Sequence, residues 1–250
     1  MRASIVDRLS GGYHVYGFRL GVLMHETSRF ARLPGDVGNA SSWDFPVMYR
    51  VVNGVTARDL MFGADEEQSA RLVEAAQSLE ADGVRAIVGG CGFLARYQDA
   101  IAAAVRVPVV TSSLLQVPLV QSLIGPRNRV GILSAHGGVL KEDPFDGWGW
   151  ALSGANVAIA GLEETEHFAA TVRGAVPLVD PQGIESEVVE AATKLREEHV
   201  DLGAFVFECT NLGPFARAVQ VATGLPVFDV ITLGTMVGHA VLRRLFVGDL

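Results

Sequence analysis

The chain contains two cysteines, Cys91 in VGGCGFLARY and Cys209 in FECTNLGP. Each follows an apolar run and opens a helical pattern. A thiol at such a junction meets unpaired backbone N–H groups and the positive end of a helix dipole. Its pKa is expected to fall below about 8.5, making it a better base or nucleophile. The same amides can receive a substrate carboxylate. Thr210 and Asn211 would add side-chain donors beside the second cysteine. Gly89, Gly90 and Gly92 would let a ligand approach the first backbone closely. If one carbon met a thiol on each side, a proton could leave one face and return to the other, with amide donors stabilising the carbanion between. The plain alternative is that cysteine often only fills buried space. Zinc is not expected, because no His or Cys lies at ligand spacing from either cysteine.

The elements that position the cysteines occur twice. Cys91 to Pro108 is 17 positions, and so is Cys209 to Pro226. RLGVLMHE at 19–26 pairs with RVGILSAH at 129–136, so the offset is 118 for one block and 110 for the other. An offset this large means a duplicated domain half rather than a solenoid period. Apolar runs at 18–23, 84–89, 107–111, 129–134, 156–160, 202–207 and 226–229 read as buried parallel strands. Helical patterns at 65–82 and 183–199 alternate with them, and a last amphipathic helix is expected near 231–246. This order predicts an α/β fold with a mostly parallel sheet in each half. Residues 28–50 read as a long loop followed by a strand, and loops of that length are often functional. In such sheets ligands bind beyond the carboxyl ends of the strands, where both cysteines stand.

Composition narrows the functional classes. In 250 residues, 49% are hydrophobic and 19% charged, a globular balance. The net charge of −8 argues against a nucleic-acid partner. No apolar run reaches the ~18 residues of a membrane span, so no membrane partner is expected. The N-terminal stretch lacks the apolar core of a secretory signal, so a cytoplasmic protein with free thiols is expected.

Several motifs in order carry a resemblance: RLPGDVGN and FPVMYRVV within 32–52 in approximate form, GGCGFLARYQ, VPVVTSSLLQVP, and ECTNLGPFARAVQVATGLPVFDVIT. The chain resembles the aspartate/glutamate/hydantoin racemase superfamily. Within it the chain is most similar to the branch containing the Alma-type dimethylsulfoniopropionate lyases and their bacterial relatives. The resemblance implies two pseudo-symmetric Rossmann-like lobes with the active site in the cleft between them. Lobe 1 would span 1–115, completed by a C-terminal helix in 230–250, and lobe 2 would span 116–229. It implies Cys91 and Cys209 as an acid/base pair needing no cofactor, with Gly92, Thr210 and Asn211 as carboxylate contacts and Phe93 beside them. It also implies a homo-oligomer. Two departures stand out. MHETSRF lacks the aspartate-centred motif of glutamate racemases, which speaks against glutamate as substrate, and Gly213 stands where relatives often carry a second Pro.

Other residues have a chemical and a plain reading. His136 follows the 129–134 strand on the ligand side, or is simply solvated. His25 and Glu26 occupy the matching place in the first half. Ser112 and Ser113 could donate to a carboxylate, or one of them caps the next helix. Gly137-Gly138 could receive a phosphate, without the pattern of a P-loop. Glu208 either points away into a helix-end contact or, if close to the sulfur, raises the thiol pKa. Trp148 and Trp150 read as an exposed loop. The leading expectation is a cofactor-independent racemase or epimerase of a small carboxylate, an amino acid or hydantoin-like compound. The alternatives are a lyase using the same cysteines for α-proton abstraction and β-elimination, and a non-catalytic small-ligand binding protein.

Overall fold

The structure is a computed structural model and describes residues 11–27, 31–63, 66–141, 156–174, 178–244 and 246. Trp148 and Trp150 lie outside them. The first half builds a parallel sheet from β1 (Leu20–His25), β2 (Val47–Val52), β3 (Ala86–Gly89) and β4 (Val109–Val110), in the order β2-β1-β3-β4. The second half repeats it with β5 (Arg129–Ser134), β6 (Val157–Gly161), β7 (Leu202–Phe207) and β8 (Val227–Phe228), in the order β6-β5-β7-β8. The duplication expected from the 17-residue spacings is thus a duplication of topology. LGVLMH and AIVG are apolar without alternation because β1 and β3 are buried along their whole length.

Helices cover the sheets through apolar positions spaced three and four apart. In α2 (Glu66–Ala81) these are Leu72, Ala76 and Leu79, and in α7 (Pro181–Glu198) they are Ile184, Val188, Ala192 and Leu195. The start of α7 is set by Asp180, whose carboxylate accepts from the Gln182 and Gly183 amides, and by Pro181 in the first turn. Each fully buried Leu, Ile or Val side chain on these faces contributes about 1.5–3 kcal/mol.

The last described helix, α9 (Val230–Val241), starts from a capping box of Asp229 and Thr232 and ends earlier than the sequence pattern suggests. It follows the second sheet but packs on the first, where Val230 joins a core with Leu20, Val22 and Val88. Gly234 and Gly238 make that contact possible: a β-carbon at 234 would come within 2.6 Å of the Trp43 ring, and one at 238 would collide with Phe45. A second core cluster runs between the lobes, joining Leu94, Leu114 and Val117 to Ile132 and Val206. Among the described residues no helix is long and apolar enough to cross a membrane.

Candidate active site

β3 and β7 are equivalent strands, and each delivers a cysteine at its end. Cys91 caps a 3-10 turn (Gly92–Tyr97) that runs into α3 (Gln98–Ala104). Cys209 caps another (Thr210–Phe215) that runs into α8 (Ala216–Thr223). Both thiols are free and both line one cavity of about 60 Å³. Phe93, Thr210 and Asn211 line it too, together with His25, Thr27, Arg32, Met61, Ala135 and Glu208.

Of the remaining sequence candidates, three lie elsewhere. Ser112 caps the turn Ser113–Gln116 by accepting from the Leu114 amide at 3.2 Å. The Ser113 hydroxyl donates to the carbonyl of Phe207 across the lobes. Both serines are fully buried and neither lines the cavity, so their polar groups serve structure. His136 lines a larger neighbouring chamber of about 550 Å³, where its ring meets Phe62 edge-on at 5.5 Å. That chamber shares Ala57, Met61, Ala135 and Val172 with the cysteine cavity. Two short helices, α1 (Ala57–Phe62) and α6 (His167–Val172), supply its walls and form the approach to the thiols. A groove of about 480 Å³ over β6 and α7 is lined by neither cysteine.

The glycines beside Cys91 make room for protein rather than for ligand. A β-carbon at 89 would strike the backbone of Thr111, one at 90 would come within 2.7 Å of the Leu23 carbonyl, and one at 92 would collide with the Glu208 carboxyl. The glycine pair 137–138 is likewise taken: its amides donate to the Glu163 carboxylate at 3.0 Å each. Thr210 donates its hydroxyl to the Gly90 carbonyl at 3.1 Å, so it too ties the lobes together.

Arg32 is the residue that sequence reading missed. It sits in the long loop, and its Nη1 donates to Asn211 Oδ1 at 2.9 Å and to the Asp36 carboxylate at 3.1 Å. Asp36 is fully buried and Asn39 donates to the Arg32 carbonyl, which fixes the loop. The signal was present in RLPGD, an arginine followed by a Pro-Gly turn in a loop too long to be a mere connection. Gly213 is explained by the same loop: its β-carbon would collide with the Gly35 carbonyl.

The thiol pKa values run opposite to the sequence expectation. Burial, and then the charge of Glu208, push Cys91 up to about 12 against the amides of Phe93 and Leu94 and the guanidinium of Arg32. Burial and Glu208 also push Cys209 up, and only the Asn211 amide opposes them. Two short 3-10 turns offer too few amides to outweigh removal of the sulfur from water. Glu208 itself is 1% exposed and is pushed up to about 7 by burial, opposed by hydrogen bonds from Ser134 and Ala135. His25 is held down to about 4 by burial and then by Arg32, and its buried Nδ1 has no hydrogen-bond partner among the described residues. Among the described residues no group of three or more His, Cys, Asp or Glu side chains is placed to hold a metal ion.

Two parallel sheets of equivalent order each present a cysteine to one cavity, within an α/β fold. Solved structures show the same fold. An arylmalonate decarboxylase aligns with TM-score 0.58 at 16% identity over 89% of this chain and 92% of its own. The allantoin racemase of Klebsiella pneumoniae aligns with TM-score 0.59 at 14% identity over 90% and 87%. No family model matches the chain. Among curated proteins, a dimethylsulfoniopropionate lyase of Durusdinium sp. clade D is 35% identical over 209 residues, covering 80% of this chain and 67% of the relative. Dimethylsulfoniopropionate lyase 7 of Emiliania huxleyi (strain CCMP1516) is 31% identical over 214 residues, covering 79% and 60%. The chain belongs to the family of these lyases. It spans between about half and two thirds of the length of the curated relatives it matches.

Proposed function

We propose that this chain is a lyase that removes an α-proton from a small carboxylate and expels a β-substituent, with dimethylsulfoniopropionate the first compound to test. The observation that carries the reading is the pair of thiols, one from each lobe, on a single small cavity that also holds Arg32. The choice of lyase over racemase is supported by the named activity of the relatives.

The substrate carboxylate binds Arg32 and the amides of the turn after Cys209. Cys91 is the base. Two backbone N–H groups and Arg32 favour its thiolate, whereas Cys209 has one amide and is opposed by Asp36. A resting thiol with a pKa of about 12 is a poor base, so the bound substrate must help. A sulfonium does so, because a positive charge beside sulfur lowers the thiol pKa. The Cys91 thiolate takes the α-proton, the freed electron pair forms the C=C bond, and the β C–S bond breaks to release a neutral sulfide and an alkene carboxylate. The net reaction releases one proton. Isomerisation is the second reading, favoured by the placement of the two thiols on opposite lobes, which suits return of a proton to the other face.

Proton NMR in D₂O on a panel of β-substituted and α-amino carboxylates tests the proposal. Appearance of acrylate from dimethylsulfoniopropionate, reduced at least about 10²-fold in Cys91→Ser, is the expected result. Loss of an α-proton signal without a new alkene would replace the lyase with an isomerase.

A further inference from the structure

Resting on that reading, we propose that Glu208 is the proton acceptor of the Cys91 thiol: its carboxylate takes up the thiol proton when substrate binds. The geometry is specific. Glu208 belongs to lobe 2, yet Gly92 of lobe 1 must lack a side chain to make room for its carboxyl, so the carboxyl lies at the lobe junction beside both cysteines. Both hydrogen bonds to it fall on one oxygen: Ser134 Oγ donates to Oε2 at 2.8 Å and the Ala135 amide at 3.3 Å. Oε1 is the atom that faces Gly92, the residue after Cys91. The charged and titratable groups around it are His25, Arg32, Asp36, Cys91 and Cys209. Arg32 gives its Nη1 to Asp36 and Asn211.

A buried carboxyl is costly unless its charge or proton is used. Here the chemistry has a use for both. The thiol must lose a proton to become a base, in a small cavity that it shares with Glu208. Transfer from Cys91 Sγ to the Glu208 carboxylate breaks the S–H bond, forms an O–H bond and leaves the total charge unchanged, so no additional anion is buried. After the Cys91 thiolate has taken the α-proton, the site holds one proton too many, and Glu208 passes it to water in the adjoining chamber as the reaction's released proton. A titration near neutrality suits a group that must accept from a thiol and yield to water.

Glu208→Gln separates this role from a purely electrostatic one, because the two move opposite ways. Removing the negative neighbour favours thiolates, so alkylation of the cysteines by iodoacetamide becomes faster. If Glu208 is the acceptor, acrylate release nevertheless falls about 10²-fold or more, the acidic limb of the kcat profile disappears, and Glu208→Asp restores part of both. Turnover that is unchanged or that rises with alkylation would overturn the proposal. If the wild type releases no alkene and exchanges no α-proton, the lyase reading fails by itself. Infrared titration then decides Glu208. A protonated-carboxyl band that is absent from Glu208→Gln and disappears near neutral pH supports the acceptor, and one already lost below pH 5 overturns it.

Discussion

Arg32 Nη1 and Asn211 Oδ1 stand 2.9 Å apart, and the hydrogen bond between them joins the long loop of lobe 1 to the cysteine-bearing turn of lobe 2. A hydrogen bond to a charged group is worth about 1.5–3 kcal/mol, enough to hold the guanidinium at the cavity wall. Arg32→Ala should raise KM for a carboxylate substrate about 10- to 100-fold. Arg32→Lys should recover little of it, because an ammonium cannot reach Asp36, Asn211 and a carboxylate with one planar fork. Steady-state kinetics with substrates bearing and lacking the carboxylate would check the assignment. An equal loss for both would deny Arg32 a part in carboxylate binding.

Gly213→Ala should destabilise the protein and impair catalysis together. The added methyl has nowhere to go, because the Gly35 carbonyl occupies its place and Pro214 lies against Gly35 in return. Overpacking of this kind costs about 1–3 kcal/mol. The strain falls on the contact that positions Arg32. Urea unfolding should show the lowered midpoint, and KM should rise more than kcat falls. A variant with full stability and unchanged KM would mean that the loop shifts freely.

Glu208 and His25 should make opposed contributions to stability between about pH 4.5 and 6.5. Glu208 has a folded pKa of about 7, raised from 4.5, so its contribution is full below 4.5 and lost as pH rises through 7. His25 has a folded pKa of about 4, lowered from 6.5, so its contribution is present above 6.5 and lost as pH falls through 4. Each slope can reach about 1.4 kcal/mol per pH unit. Glu208→Gln should therefore leave a protein that weakens on acidification below 6.5. His25→Asn should leave one that weakens as pH rises from 4.5 to 7. Urea midpoints across this range would show the opposite slopes, and slopes of the same sign would refute the pairing.

The fold was legible because topology follows apolar periodicity. The 17-residue spacing from each cysteine to its Pro-Val strand mapped directly onto β3–β4 and β7–β8. The position of the cysteines at strand ends was legible for the same reason. Their electrostatics were not. Helix-end amides lower a thiol pKa and burial raises it, and only the packed structure shows which prevails. Glu208 illustrates the difficulty: adjacency to Cys209 says nothing about whether its carboxyl turns toward the sulfur, and the answer rests on the absent side chain of Gly92, 116 positions away. Arg32 escaped notice because its partner Asn211 is 179 positions distant and no local pattern couples them.

The two cysteines should prove unequal. In an isomerase, one thiol removes the proton and the other returns it, so replacing either by serine abolishes turnover to the same degree. In a β-elimination the carbanion's electron pair leaves through the C–S bond, and no proton is needed from the opposite face. In the proposed elimination Cys91 serves as the base, because the Phe93 and Leu94 amides and Arg32 favour its thiolate. Cys91→Ser should lower alkene release by about 10²- to 10⁴-fold, the range for loss of a general base. Cys209→Ser should cost about 10-fold or less, since only packing and the Asn211 turn are disturbed. Acrylate release and α-deuterium incorporation, followed in the same D₂O samples, report both steps at once. Equal and complete loss in the two variants would identify paired proton transfer and return the chain to the isomerase reading. A large loss confined to Cys209→Ser would keep the elimination and reverse the assignment of the base.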